Sequence, residues 1–352
     1  MGILGGCGDD GGSLPATDPV TVTGDEACTG DAGVTTRSCR RGYVSTRCAC
    51  APVPLDDVTV RRVPCAELPV NGAPRTPEDD ACDAAGGSEP DLTCVTTRPT
   101  AGESQLVTLV GVVDLVGAGP DTDGLTVEID GLDAVGTSSV ASSCAETRSV
   151  YRSGEVVAER RLGFFVLEEV PTETDLVVHT SGSGGLWRDV WSYGVRIANE
   201  DVVAAAPAGA CDALAALGPY AVVDVKTISA ATYLELPRQG ALGITRDDAG
   251  LLAGEVRDCA GVRLEHAEVG TWPAPAAMLY DGDDPDELRL RRGHDEGTGL
   301  TGNFVAFDLP AGPVDVTAVG RLGSAVTSLG GTRVRVRAGA LTTVTLEGLQ
   351  PQ

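Results

Sequence analysis

The hydrophobic positions of this chain fall mostly into short runs that alternate with polar ones, and the runs are separated by glycine and proline. The clearest lies in Gly299 to Gly320, GLTGNFVAFDLPAGPVDVTAVG. Phe304, Ala306 and Asp308 fall on one face of an extended strand there, and Val305, Phe307 and Leu309 on the other. Being apolar on both sides, the run predicts a central strand of a sandwich. Pro310, Ala311, Gly312 and Pro313 stop it, because proline lacks a ladder donor and glycine supplies the freedom a turn needs. Val314, Val316 and Ala318 resume the alternation, which predicts an antiparallel hairpin across the Pro310 to Pro313 turn.

The flanking hundred residues carry an ordered set of short motifs. Gly254 to Gly261 (GEVRDCAG) opens it, Leu264 to Val269 follows, and Thr301 to Phe304 leads to Leu309 to Gly312; Arg333 to Gly339 (RVRVRAG) and Leu341 to Leu346 close it. In this order the motifs resemble the carboxypeptidase regulatory-like domain, a seven-stranded sandwich of the transthyretin (prealbumin) type. The resemblance covers roughly Gly250 to Gly348. It implies a non-catalytic module appended to other domains and does not imply carboxypeptidase activity.

An internal repeat extends the pattern. Gly163-Phe164-Phe165-Val166, then Val170-Pro171, matches Gly302-Asn303-Phe304-Val305, then Leu309-Pro310, at a constant offset. Upstream, Gly111 to Asp114 is a looser copy of Gly254 to Val256, and Leu125 to Ile129 of the strand after it. A second sandwich of the same type is expected over 106–207, with a longer insertion around Cys144, and the later copy over 250–352. The passages CDALAALGPY and ISAATYLELPRQ, within a 208–249 connector, are the ones with helical character, and both are short.

At 352 residues there is length for two or three domains. Aromatic residues make up 4% and glycines number 46, which suits short strands and many turns. Lys226 is the lone lysine, and the formal charge is −25. Such a surface repels nucleic acid and anionic lipid, so the membrane enters only through a lipid anchor. Neutral glycans, cations and envelope proteins with basic patches are the expected partners.

Eight of the eleven cysteines precede residue 100, in a stretch of weak hydrophobic periodicity. That density fits an oxidising, extracytoplasmic compartment where disulfides stand in for a core. Zinc is the rival, but Cys48 and Cys50 make a C-x-C pair rather than a C-x-x-C knuckle. Leu4 to Cys7 resembles a bacterial lipobox, which makes Cys7 the candidate lipidated residue and Gly8 to Ser13 a tether within 1–26. Met1 to Ile3 is too short for a leader, so that reading expects more chain upstream. The disulfide candidates are Cys28, Cys39, Cys48, Cys50, Cys65, Cys82, Cys94, Cys144, Cys211 and Cys259, with a stapled mini-domain over 27–68 and a linker over 69–105. Arg37, Arg40, Arg41 and Arg47 form a basic cluster within the mini-domain, and a solvated face is the expected role.

Enzyme signatures are sparse. The histidines are His179, His266 and His294, none within H-E-x-x-H, and no G-x-S-x-G occurs. Two acidic loops, Asp121 to Gly124 and the one holding Asp281, Asp283, Asp284 and Asp286, offer oxygen ligands of the kind Ca²⁺ prefers, without EF-hand spacing; no other cofactor is called for. Trp187, Trp191 and Tyr193 share a face if their stretch is one strand, and flat rings in a row stack on sugars. The expectation is therefore an all-β protein, two tandem prealbumin-like sandwiches behind a disulfide-rich N-terminal segment, with a structural or adhesive envelope role. A carbohydrate-binding accessory role through the three aromatics is the alternative, and a hydrolase with carboxylates converging from distant strands is the third.

Overall fold

In a computed structural model the described residues are 22–23, 28–29, 39, 43–46, 48–65, 87–97, 100–152, 155–239, 246–280, 291–292 and 297–348. The N-terminal part contributes β1 (Val22–Thr23), β2 (Cys28–Thr29), β3 (Tyr43–Ser45), β4 (Cys50–Pro52) and β5 (Arg61–Arg62), then a single helical turn at Thr93–Thr96. The protein is all-β and disulfide-bonded: Cys39 joins Cys50, Cys94 joins Cys259 and Cys144 joins Cys211. Cys48 and Cys65 are also in disulfides. Cys7 and Cys82 lie outside the described residues.

The first sandwich begins with β6 (Leu106–Val116), whose run LVTLVGVVDLV is buried along both faces as a central strand should be. It continues through β7 (Thr126–Ile129), β8 (Val135–Thr137), β9 (Glu146–Arg152), β10 (Glu155–Leu162), β11 (Phe164–Pro171), β12 (Leu176–Ser181), β13 (Trp187–Arg188), β14 (Val190–Val195), β15 (Tyr220–Val222) and β16 (Val225–Ser229). One sheet runs β11-β6-β16-β13, with β15 also on β6. The facing strands are β14, β12, β7 and β8. Between them lie Leu109, Val113, Val127, Ile129, Phe165 and Val178. The insertion around Cys144 becomes the two-stranded β9-β10 ribbon.

A ten-residue helix, α1 (Ala230–Gln239), precedes the second sandwich. That sandwich comprises β17 (Ala249–Val256), β18 (Leu264–Glu265), β19 (Glu268–Trp272), β20 (Ala277–Tyr280), β21 (Arg291–Arg292), β22 (Asn303–Pro310), β23 (Gly312–Leu322), β24 (Ala325–Val336) and β25 (Leu341–Leu346). The repeat seen in the sequence is a repeat of register. Phe165 pairs with Gly111 as Phe304 pairs with Gly254, and both ladders then slip before Val170-Pro171 and Leu309-Pro310. Each slip places an acidic residue in the left-handed region, Glu169 at φ 58° and Asp308 at φ 55°. The two glycines are required by close approach. A Cβ on Gly111 would stand 2.1 Å from the Val223 carbonyl oxygen, and one on Gly254 2.2 Å from that of Val344.

The expected hairpin across Pro310 to Pro313 is not formed. β22 pairs with β17 and β20, whereas β23 pairs with β24 and β19, so the turn carries the chain from one sheet to the other. Phe304, Ala306 and Leu309 enter the core from one side, and Val314, Val316 and Ala318 from the opposite side. A strand arch closes this core; a hairpin would have placed both apolar sets on one sheet.

The two sandwiches share a sheet. β14 of the first and β25 of the second pair in parallel, Val190 to Leu341 through Tyr193 to Val344. The result is one nine-stranded sheet, β21-β20-β22-β17-β25-β14-β12-β7-β8. Its two halves bury opposite faces. Val178 and Val127 turn into the first core, while the row His179, Trp191, Thr342, Leu252 runs on into the second. Across the seam α1 packs Tyr233 and Leu236 onto Val190, Leu251, Phe307 and Leu341. Each large side chain buried there contributes about 1.5–3 kcal/mol.

The described residues of the 27–68 stretch, expected as a disulfide-stapled mini-domain, lie against the second sandwich. The β3-β4 hairpin sets Val44 and Ala51 on Val319 and Val326, Val60 enters the second core, and β5 pairs with β18. Arg62 reaches the buried Asp258 carboxylate, which also accepts the Asp91, Ala260 and Val262 amides. The N-terminal residues thus cover the outer face of β19-β23-β24, and β1 and β2 pair along β24.

Candidate functional site

Of the three aromatics expected on one face, the structure brings two together. The strand breaks at Asp189, whose carbonyl accepts the Leu341 amide. Trp187 therefore belongs to β13 and pairs beside Ser229 in the other sheet. There it packs on the first core, in space that a side chain at Gly182 would occupy. Trp191 and Tyr193 stay on β14 at the seam. The Trp191 ring stacks on His179 with centroids 3.9 Å apart and planes 9° apart, and the Arg337 guanidinium stands 3.2 Å from its centroid. Two groups that close must take opposite faces, so neither face is open to a sugar.

Around this stack the contacts are ionic and structural. His179 Nδ1 lies 2.6 Å from Glu128. Arg337 donates to the Tyr193 hydroxyl at 3.2 Å and comes within 3.6 Å of Asp130. Tyr193 in turn donates to the Arg335 carbonyl. This cluster ties the outer face of the first sandwich to the end of β24.

The acidic loops divide between described and undescribed residues. Asp281, Asp283, Asp284 and Asp286 lie outside the described residues, as do His294, Arg37, Arg40, Arg41 and Arg47. In the other loop Asp121 accepts the Arg161 amide and Asp123 the Val140 amide, so both carboxylates tie the loop to neighbouring backbone. Among the described residues no group of three or more His, Cys, Asp or Glu is arranged to hold a metal ion. The buried carboxylates are each engaged: Asp258 with Arg62, Glu265 with Arg61, Asp315 with Arg333, and Glu268 with the Tyr280 hydroxyl. Burial first, and the Glu268 charge next, push the Tyr280 hydroxyl well above its ordinary range, which keeps it a donor.

Two recesses stand out among the described residues. A tight recess among Gly194, Gly331, Thr332 and Val344 to Gly348 has room for about 20 Å³. A wider groove of about 270 Å³ is lined by Leu106, Val107, Thr108, Glu168, Glu169, Gly218 and Pro219. Both fall short of the several hundred cubic ångströms of an ordinary small-molecule site.

An exposed row on the outer face of the second sandwich was missed in the sequence. Trp272 on β19 stands opposite Asp315 on β23, and Asp315 opposite Arg333 on β24. Trp272 is 51% exposed and Asp315 5%. Arg333 holds Asp315 through two bonds, Nε to Oδ1 at 2.6 Å and NH2 to Oδ2 at 3.1 Å. One pleat along, the exposed Arg335 lies opposite Pro313. The β3-β4 hairpin covers the neighbouring row, where side chains at Gly270 and Gly331 would strike Cys50 and Cys48. The signal available in the sequence was the alternation Arg333, Arg335, Arg337, which puts arginines on the face opposite Val334 and Val336.

No protein family matches the chain, and no curated protein matches it. Among solved structures, a streptococcal ancillary pilin overlaps 69% of this chain and 68% of its own at 10% identity and a TM-score of 0.18. The shaft pilin SpaA of Lactobacillus rhamnosus GG, as a D295N mutant, overlaps 69% of this chain and 98% of its own at 11% identity and a TM-score of 0.18. Neither overlap carries a functional argument at that score. Among the described residues no helix is long and apolar enough to cross a membrane.

Proposed function

We propose that this chain is a non-catalytic structural protein of the bacterial cell envelope, whose two sandwiches work as one stiff unit that spaces or displays a binding surface. The observation that carries the reading is the parallel β14-β25 pairing, which merges the sandwiches into one sheet. Tandem domains ordinarily move relative to one another unless their interface is large and apolar. Here the joint has backbone pairing, the buried Tyr233 and Leu236 of α1 on one face and the His179-Trp191-Arg337 stack on the other. Such a joint suits bearing or transmitting load more than closing on a substrate.

The disulfides support folding in an oxidising compartment. The resemblance of Gly250 to Gly348 to carboxypeptidase regulatory-like modules, and the lipobox-like Leu4 to Cys7, fit an envelope lipoprotein anchored through Cys7. Its partners on this reading are envelope proteins or glycans. Residual dipolar couplings test the stiffness. A single alignment tensor fitting the amides of both sandwiches is the expected result, and two tensors of different magnitude or orientation would overturn the stiff-spacer reading.

A further inference from the structure

We infer that the groove of the first sandwich lined by Leu106, Glu168, Glu169 and Pro219 docks an extended segment of another envelope protein through an arginine side chain. The inference deepens the envelope reading by naming the partner's chemistry, and rests on it. The groove has room for about 270 Å³, which suits one long side chain rather than a whole small molecule. Its apolar lining is open to solvent. Leu106 is 65% exposed, and Val135, 57% exposed, adjoins Gly136, where β8 meets Val166 and Leu167 just ahead of the two glutamates. Apolar surface left open beside polar groups marks a contact site on a soluble fold.

The carboxylates set the choice of partner. Both glutamates are exposed, and among the described residues neither makes a hydrogen bond or an ion pair. The internal repeat shows what such a carboxylate does when it is occupied. Asp308 stands at the same slip of the second ladder, in the same left-handed conformation as Glu169. It accepts the amide of Arg246, in the segment just ahead of β17. The segment just ahead of β6 goes elsewhere: the Ser104 hydroxyl donates to the Thr172 carbonyl and the Gln105 amide to the Thr172 hydroxyl. The slip in the first sandwich is thus left without the chain segment that fills its counterpart. Two unpaired carboxylates beside apolar surface fit a cation carried on an aliphatic stem. A guanidinium suits them better than an ammonium, because it gives a carboxylate paired donors in a fixed plane.

The test is calorimetric titration of the full chain with two blocked heptapeptides, Gly-Ser-Leu-Arg-Leu-Ser-Gly and the same sequence with citrulline in place of arginine. The arginine peptide is expected to bind about tenfold more tightly, as one charge-assisted contact warrants. Glu169→Gln is expected to erase that difference while leaving affinity for the citrulline peptide unchanged, and Leu106→Ser to weaken both peptides about tenfold. Glu155→Gln, on the exposed β9-β10 ribbon, controls for the diffuse field of the −25 charge and is expected to change neither affinity. All three positions are exposed, and an unchanged melting temperature verifies folding; Glu169→Gln decides the matter alone if Leu106→Ser does not fold. Equal affinity for the two peptides, binding of neither by folded protein, or an equal loss in Glu155→Gln would overturn the proposal. So would a dimer in sedimentation equilibrium that Glu169→Gln dissociates, since a second copy would then be the occupant. The alignment measurement is independent of these titrations, so failure of the docking groove and failure of the stiff spacer are told apart.

Discussion

Lys226 shows how a single residue can be read in an acidic chain. As the lone lysine it stands directly opposite Asp114 on the neighbouring parallel strand, with Nζ 2.7 Å from the carboxylate. Arg148 approaches the same carboxylate at 3.3 Å and also holds Asp224. Burial alone would raise the Asp114 carboxyl, but Lys226 and Arg148 together outweigh it and hold it below the ordinary aspartate range. A folded-state value below the unfolded one adds stability that is present above the unfolded value and lost as pH falls through the folded one. Urea midpoints should therefore drop as pH falls below about 4. Asp114→Asn should cost about 2 kcal/mol at pH 7 and show a shallower acid limb; an unaltered acid limb would remove this ion pair as its cause. The residue type was visible in the sequence, but its partner, more than a hundred positions away, was not.

At the scale of elements, the repeat was legible and the turn was not. Gly163-Phe164-Phe165 and Gly302-Asn303-Phe304 announced two copies of a strand, and the copies agree even in the slip of the ladder at Glu169 and Asp308. Alternation says which side chains share a face; it does not say which strand lies alongside. Hence the Pro310 to Pro313 turn read as a hairpin when it is an arch. Likewise, the even spacing of Trp187, Trp191 and Tyr193 suggested one face, but Asp189 ends β13 and moves Trp187 to the other sheet. The glycines opposite the repeated phenylalanines are a firmer element-level signal. Gly254→Ala would drive a methyl against the Val344 carbonyl and the Phe304 ring, in a strand paired on both sides. A loss of about 3 kcal/mol in denaturant unfolding is expected, because backbone on the crowded side cannot give way as a side-chain tip can. A loss under about 0.5 kcal/mol, the range of an ordinary surface change, would contradict the close approach.

At the scale of the whole molecule, described residues from Val22 onward in the N-terminal part pack on the last sandwich. Cysteine density announced disulfides, but connectivity does not follow from spacing, and the Cys94 to Cys259 bond spans 165 positions. It fastens the segment that carries Asp91 to the loop that carries Asp258, beside the buried Arg62 contact. Replacing both cysteines with alanine should lower stability by about 3 to 5 kcal/mol, as expected for opening so long a loop. An unchanged denaturation midpoint would show the N-terminal cover to be held by its packing alone. The shared sheet was the least legible feature of all. A parallel pair between strands about 150 residues apart has no connecting turn to announce it.

That seam holds the two sandwiches together through backbone bonds. The Leu341 amide donates across it to the Asp189 carbonyl at 3.0 Å. Native-state hydrogen exchange of this one amide, set beside Val178 in the first core and Phe304 in the second, reports whether the sheet is continuous. Leu341 is expected to exchange only with opening of the sandwiches themselves, at the rate of those two core amides. Exchange orders of magnitude faster, as at a free edge, would contradict it.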